Sequence, residues 1–310
     1  MGKTAFVFPG QGSQFAGMGS DLAAKYPEAR AVFQRADAAL GEPLSALCFA
    51  GPEERLRLTA NTQPAILAVS LAACSVLQAR GATFDGVAGH SLGEYSAIGA
   101  AGGLGVEDLV RAVRRRGQLM QEAVPVGVGA MSAVLGPARD LVEACCREAS
   151  SNGEVVVAAN FNAPEQTVIA GHAGAVARAG ELLAARGAKR VVPLPVSAPF
   201  HSPLMAPARE GLVPVLAALP FVGLSAPLYN NVDAAPATGA GAVRDGLIRQ
   251  VDAPVRWVEL IERMVADGFD TFVEVGPGSV LSGLIRRIAR PVATVQAGTA
   301  EQVEAYLAKR

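Results

Sequence analysis

Three short apolar runs stand out along the chain, each closed by glycine or proline. Thr4-Ala5-Phe6-Val7-Phe8 ends at Pro9-Gly10, Phe84-Asp85-Gly86-Val87-Ala88 ends at Gly89, and Thr271-Phe272-Val273-Glu274-Val275 ends at Gly276-Pro277-Gly278. Apolar runs of this length between turn residues predict buried strands, although Asp85 and Gly86 weaken the second. Helical segments separate them, at 21–40, 64–80 and 106–124. Buried strands alternating with helices predict a mainly parallel sheet covered on both faces.

The middle of the chain follows another pattern. Strands are predicted at 129–135, 155–160, 166–170 and 189–196, and helices at 138–149 and 175–186. The order β-α-β-β-α-β is the split βαβ arrangement of ferredoxin-like modules. It predicts a small subdomain at 126–197, inserted into a larger α/β domain made from 1–125 and 198–310. Residues 234–242, rich in alanine and glycine, read as a flexible loop.

Composition narrows the class. With 310 residues the chain can bury a large core, and 51% hydrophobic against 18% charged residues excludes a disordered protein. A net charge of −1 gives no general attraction to nucleic acid or acidic membrane, so neither is expected as a partner. Cys48, Cys74, Cys145 and Cys146 form no C-x-x-C pair and read as buried thiols in a reducing compartment. The stretch 64–79, interrupted by Ser70, Ser75 and Gln78, reads as a buried helix too short to span a bilayer. With no signal-peptide pattern at the N-terminus, a cytoplasmic protein is expected.

Candidate chemistry centres on Gly89-His90-Ser91-Leu92-Gly93, a G-x-S-x-G match between a predicted strand and a helical segment, 94–101. A sharp strand-to-helix turn lifts the serine hydroxyl clear of the backbone, and glycines permit the close packing on either side. The helix is expected to start at Ser91, offering unpaired N–H groups to developing negative charge. A serine needs a base, and the chain offers His90, His172 and His201. His90 adjoins Ser91 on a sharp turn and should point away. His172 lies in a polar turn of the small subdomain. His201 lies between Pro199 and Pro203 in a loop of restricted shape, which suits an oriented base. No histidine follows it and no acid stands out as its partner, so a Ser-His dyad fits better than a triad. Pro9-Gly10-Gln11-Gly12 follows the first strand, and the backbone N–H groups of Gln11 and Leu92 are candidates for an oxyanion hole.

The motifs PGQGSQ at 9–14, TQPA at 62–65, GHSLGEYSA at 89–97, RRGQLMQ at 115–121, NFNAP at 160–164, VSAPFHSPLM at 196–205, NNVD at 230–233 and EVGPG at 274–278 together resemble malonyl-CoA:acyl carrier protein transacylases, in order over nearly the whole chain. The resemblance implies an α/β-hydrolase-like core with a ferredoxin-like insert. It implies malonyl transfer from malonyl-CoA to the phosphopantetheine thiol of acyl carrier protein, by ping-pong through a malonyl-serine, for fatty acid synthesis. Ser91 matches the acylated serine, His201 the base, and Gln11 and Leu92 the oxyanion positions. Gln250 matches the residue whose backbone carbonyl orients the histidine, and Arg116 the arginine that holds the malonyl carboxylate. Phe200, just before the histidine, matches a position where an aromatic residue accompanies malonyl use and a small one methylmalonyl. The resemblance further implies a monomer that takes malonyl-CoA as substrate and keeps no cofactor or metal permanently. Lys189-Arg190 and Arg286-Arg287 are basic pairs that could receive an acidic carrier protein. A trans-acting acyltransferase of a polyketide synthase, a serine thioesterase or esterase, and a non-catalytic docking module are the alternatives.

Overall fold

The computed structural model describes residues 2–196 and 198–309. Among the described residues, ten strands form two sheets: β1 (Lys3–Phe8), β2 (Gly86–Gly89), β3 (Gly129–Leu135), β4 (Val156–Ala163), β5 (Gln166–His172), β6 (Arg190–Pro193), β7 (Leu228–Tyr229), β8 (Pro236–Ala237), β9 (Phe269–Glu274) and β10 (Ala293–Gln296). The large sheet has the order β10-β9-β1-β2-β7-β8. Its neighbours pair in parallel, except β7 with β8. Alternation along β1 explains why both faces are covered. Phe6 and Phe8 join one core cluster with the helix Thr59–Ala79, while Ala5 and Val7 join another with Trp257, Leu260 and Leu284.

The small sheet is antiparallel throughout, with the order β4-β5-β3-β6. The helices Arg139–Ala149 and Ala173–Ala185 share a third core cluster with it, built on Val134, Val142, Cys145, Ile169, Val176 and Leu183. This sheet is tied to the rest of the chain through β4. Phe161 N–H donates to the Val255 carbonyl at 2.9 Å, and Val255 N–H to that of Ala159 at 2.9 Å.

Several boundaries depart from the sequence reading. The helix expected over 21–40 is two, Ser20–Lys25 and Pro27–Leu40, because Tyr26 precedes a proline and takes an extended conformation. The second strand starts at Gly86, since Asp85 turns its carboxylate to the Thr4 N–H at 2.8 Å. The apolar helix begins at Thr59 and runs 21 residues with Pro64 inside it. Its length and apolarity would suffice for a membrane span, so shortness does not exclude one. It is buried on nearly every side, which makes it the central helix of the core. The stretch expected to be a loop at 234–242 contains β8, and the helix Ala240–Gln250 starts within it. All four cysteines are buried and free. Burial pushes Cys48, Cys74 and Cys146 up to about 12, which leaves them unreactive.

Candidate active site

Parallel pairing brings the carboxyl ends of β1, β2 and β7 to one edge of the sheet, where open α/β folds bind ligands. Gln11 follows β1, Ser91 follows β2 and Asn231 follows β7. The serine turn is as tight as the glycines suggested. A Cβ on Gly89 would lie 1.9 Å from the Gly93 carbonyl carbon, and one on Gly93 would lie 2.0 Å from the Phe8 carbonyl oxygen. Ser91 has φ 51°, a left-handed conformation costly for a residue with a Cβ. The helix therefore begins at Gly93 and not at Ser91. Asn231 pins the turn from outside. Its Oδ1 accepts the Ser91 N–H at 2.7 Å, and its Nδ2 donates to the Gly89 carbonyl at 2.7 Å.

His201 also has positive φ, 57°, in the proline-bounded loop, where Ser202 Oγ donates to the Pro199 carbonyl at 2.6 Å. Ser197, at the start of that loop, lies outside the described residues. His201 Nε2 is 2.7 Å from Ser91 Oγ. Its Nδ1 faces the carbonyls of Gln250 at 2.9 Å and Ala253 at 3.2 Å. Carbonyls only accept, so the proton sits on Nδ1 and Nε2 is free to take one from the serine. Burial first, then the charge of Arg116, hold the imidazole down at about 3, so it is neutral at ordinary pH.

Arg116 is buried, with 1% of its surface exposed, while Arg111 and Arg115 on the same helix stand at the surface in ion pairs. Its Nη1 donates to Gln63 Oε1 at 2.8 Å, and its Nη2 to Gln250 Oε1 at 2.9 Å and Ser91 Oγ at 3.2 Å. Its Nε has no partner among the described residues. A buried guanidinium with an unpaired donor is arranged to receive an acceptor, and its planar fork matches a carboxylate.

These groups line one cavity of about 170 Å³, with Gln11, Leu92, Met120, Met131, Val168, Leu194, Val196 and Phe200 among its walls. Among the described residues, no hydrogen bond within the chain engages the backbone N–H of Gln11 or Leu92. His90 lines the same cavity, although the sequence suggested it points away. Its Nε2 is taken up by Asn162 Oδ1 at 2.7 Å and its ring packs near Trp257. His172 is no loop residue: it ends β5, and its Nδ1 accepts the Val155 N–H at 3.0 Å. Gln63, Glu94, Asn231 and the side chain of Gln250 were missed as contributors. The first three sit inside the motifs TQPA, GHSLGEYSA and NNVD, but nothing local shows that they meet. Away from this cavity, Lys189, Arg286, Arg287 and Arg290 line a separate cleft of about 460 Å³ together with Glu165.

A neutral imidazole on a strained serine is the arrangement of enzymes that pass an acyl group through a serine ester. In agreement, the model of the acyl transferase domain family matches residues 5–304. The chain is 49% identical to the malonyl CoA-acyl carrier protein transacylase of Escherichia coli strain K12, over 89% of each protein. It is 46% identical to that of Bacillus subtilis strain 168, over 89% of this chain and 87% of the relative. The structure of the Coxiella burnetii malonyl CoA-acyl carrier protein transacylase superposes with a TM-score of 0.97 at 42% identity, covering 99% of this chain and 98% of that one. A malonyl-transacylase solved in complex with a type II polyketide synthase acyl-carrier protein also gives 0.97, at 43% identity, covering 99% of this chain and 100% of that one. The chain belongs to the malonyl CoA-acyl carrier protein transacylase family of acyltransferases.

Proposed function

We propose that this protein transfers the malonyl group of malonyl-CoA to the phosphopantetheine thiol of acyl carrier protein, through a malonyl ester on Ser91. The observation that carries this reading is the buried Arg116, unpaired at Nε, on the same cavity as the Ser91–His201 pair. His201 Nε2 takes the Ser91 proton as Oγ attacks the thioester carbonyl. The tetrahedral oxyanion rests on the N–H groups of Gln11 and Leu92. CoA leaves as its thiol, with the proton returned from Nε2. The carrier-protein thiol then gives its proton to His201 and attacks the ester, and collapse returns that proton to Ser91. The Gln250 carbonyl keeps the ring in register throughout. Arg116 holds the malonyl carboxylate, and Phe200 occupies the space an α-methyl would need. None of these steps calls for a resident cofactor or metal.

On this reading the large sheet and its helices, 1–125 and 198–310, are an α/β-hydrolase-like catalytic domain, and 126–197 are a ferredoxin-like insert. The strand order of the small sheet supports the latter. The protein works as a cytoplasmic monomer in fatty acid synthesis, without nucleic-acid or membrane partners. The cleft of Lys189, Arg286 and Arg287 supports docking of an acidic carrier protein. Likeness to the transacylase solved with a polyketide carrier protein supports service to a polyketide synthase as a second reading. A thioesterase fits less well, because His201 is oriented by the carbonyls of Gln250 and Ala253 and not by the acid of a hydrolase triad.

Incubation with labelled malonyl-CoA tests the proposal. Label should appear on Ser91, persist without carrier protein, and move to the carrier when it is added. Rapid release of free malonate, or labelling that survives Ser91→Ala, overturns it.

A further inference from the structure

A buried cation is tolerated when an opposite charge answers it. No carboxylate touches Arg116 among the described residues: its partners are Gln63, Gln250 and Ser91. The answering charge stands one side chain away. Glu94, fully buried on the helix that follows the nucleophile, accepts Gln250 Nε2 at 2.9 Å and the Asn231 N–H at 2.9 Å. The amide of Gln250 thus presents its oxygen to Arg116 and its nitrogen to Glu94, and the two charges fix its orientation. Both bonds fall on the same carboxylate oxygen, Oε2, while Oε1 has no partner among the described residues. Through Gln250, Glu94 reaches the carbonyl that orients His201; through Asn231, it reaches the turn that carries Ser91.

We propose that Glu94 is a positioning residue and the resident counter-charge of Arg116, relayed by the Gln250 amide, and that it moderates how tightly Arg116 holds the substrate carboxylate. This rests on the reading of Arg116 as the malonyl site. Burial raises the Glu94 carboxyl to about 7, while the Asn231 N–H, the Gln250 amide and Arg116 oppose that rise. The two hydrogen bonds oppose it most, and the charge of the guanidinium adds to them.

Glu94→Gln separates charge from shape. A glutamine can set its amide oxygen where Oε2 lies, keep both hydrogen bonds, and lose only the charge. Single-turnover acylation of Ser91 resolves substrate affinity from the acylation rate. In Glu94→Gln, malonyl-CoA should bind about three- to tenfold more tightly and acetyl-CoA no differently, since only malonyl uses the Arg116 field. Acylation by either thioester should slow about tenfold, because Gln250 loses a charge-assisted anchor. Unchanged malonyl affinity, or a parallel shift for both thioesters, overturns the proposal. A second measurement needs neither substrate nor this variant. Infrared difference spectra of wild type and Arg116→Met at neutral pH should show a gain in carboxylic-acid C=O intensity when the guanidinium is removed. Its absence overturns the counter-charge role. Failure of Ser91 labelling would instead remove the malonyl reading and leave this result standing.

Discussion

Two regions face the cavity at Ser91, and they are built on different principles. The edge of the parallel sheet supplies Gln11, His90, Ser91 and Leu92, joined by Arg116 and His201, and most of its polar atoms are tied into one buried network. Ser91 and His201 both stand at positive φ, held there by neighbours from distant parts of the chain. The antiparallel sheet supplies Met131 and Val168, and Leu194 follows its strand β6; all are apolar wall residues with no group that can take or give a proton. Its polar contributions are Asn160 and Asn162, and Asn162 bonds to His90. The contrast teaches a division of labour that follows from the proposed function: the parallel sheet holds the strained polar groups, and the antiparallel sheet supplies apolar wall.

Substitutions in each region test that division. The largest effect should come from His201→Ala, which should slow malonyl loading of Ser91 by about 10³-fold or more, read by intact-protein mass spectrometry. A loss of only a few-fold would mean the core network does not hold the base. The next is thermodynamic. His201 stays neutral in the fold down to about 3, whereas an unfolded chain takes up a proton near the ordinary histidine value. The unfolded state thus binds more protons below that value, so wild type loses stability as pH falls. Between about pH 7 and pH 5, denaturant unfolding should show wild type losing about 2 kcal/mol relative to His201→Gln. A pH-independent difference would place the ring in a solvated setting. The smallest effect should come from the antiparallel sheet. Met131→Ala enlarges the wall, and should raise methylmalonyl over malonyl loading by about tenfold, toward the lower end of the about 1–3 kcal/mol that a methyl in an apolar pocket is worth. Malonyl loading itself should stay within about threefold. A collapse of malonyl loading would break the division.

Much of this arrangement was legible in the sequence, for identifiable reasons. G-x-S-x-G fixes a turn by sterics alone, and a chain with three histidines leaves few choices for a base. Strand and helix alternation announced two kinds of sheet. Strands β7 and β8, two residues each, are too short to produce a pattern. Arg116 was one of four arginines on its helix by composition, yet a local signal existed. Leu109, Val113, Arg116 and Met120 recur at helical spacing on the buried side, which sets Arg116 on the apolar stripe. Arg114 instead pairs with Glu42 and Asn61. The Glu94–Gln250–Asn231 network had no such signal. Its members lie far apart in the chain, and only the convergence of β2, β7 and the helix Ala240–Gln250 brings them together.

Substrate choice by the core region is tested most directly at Arg116. Wild type and Arg116→Ala should be loaded with malonyl-CoA and with acetyl-CoA, and the rate of Ser91 acylation measured for each. Malonyl loading should fall by about a hundredfold or more in the variant while acetyl loading changes little, because only malonyl carries the carboxylate that the guanidinium receives. Equal losses for the two thioesters would contradict the account and reduce Arg116 to a structural support of the serine.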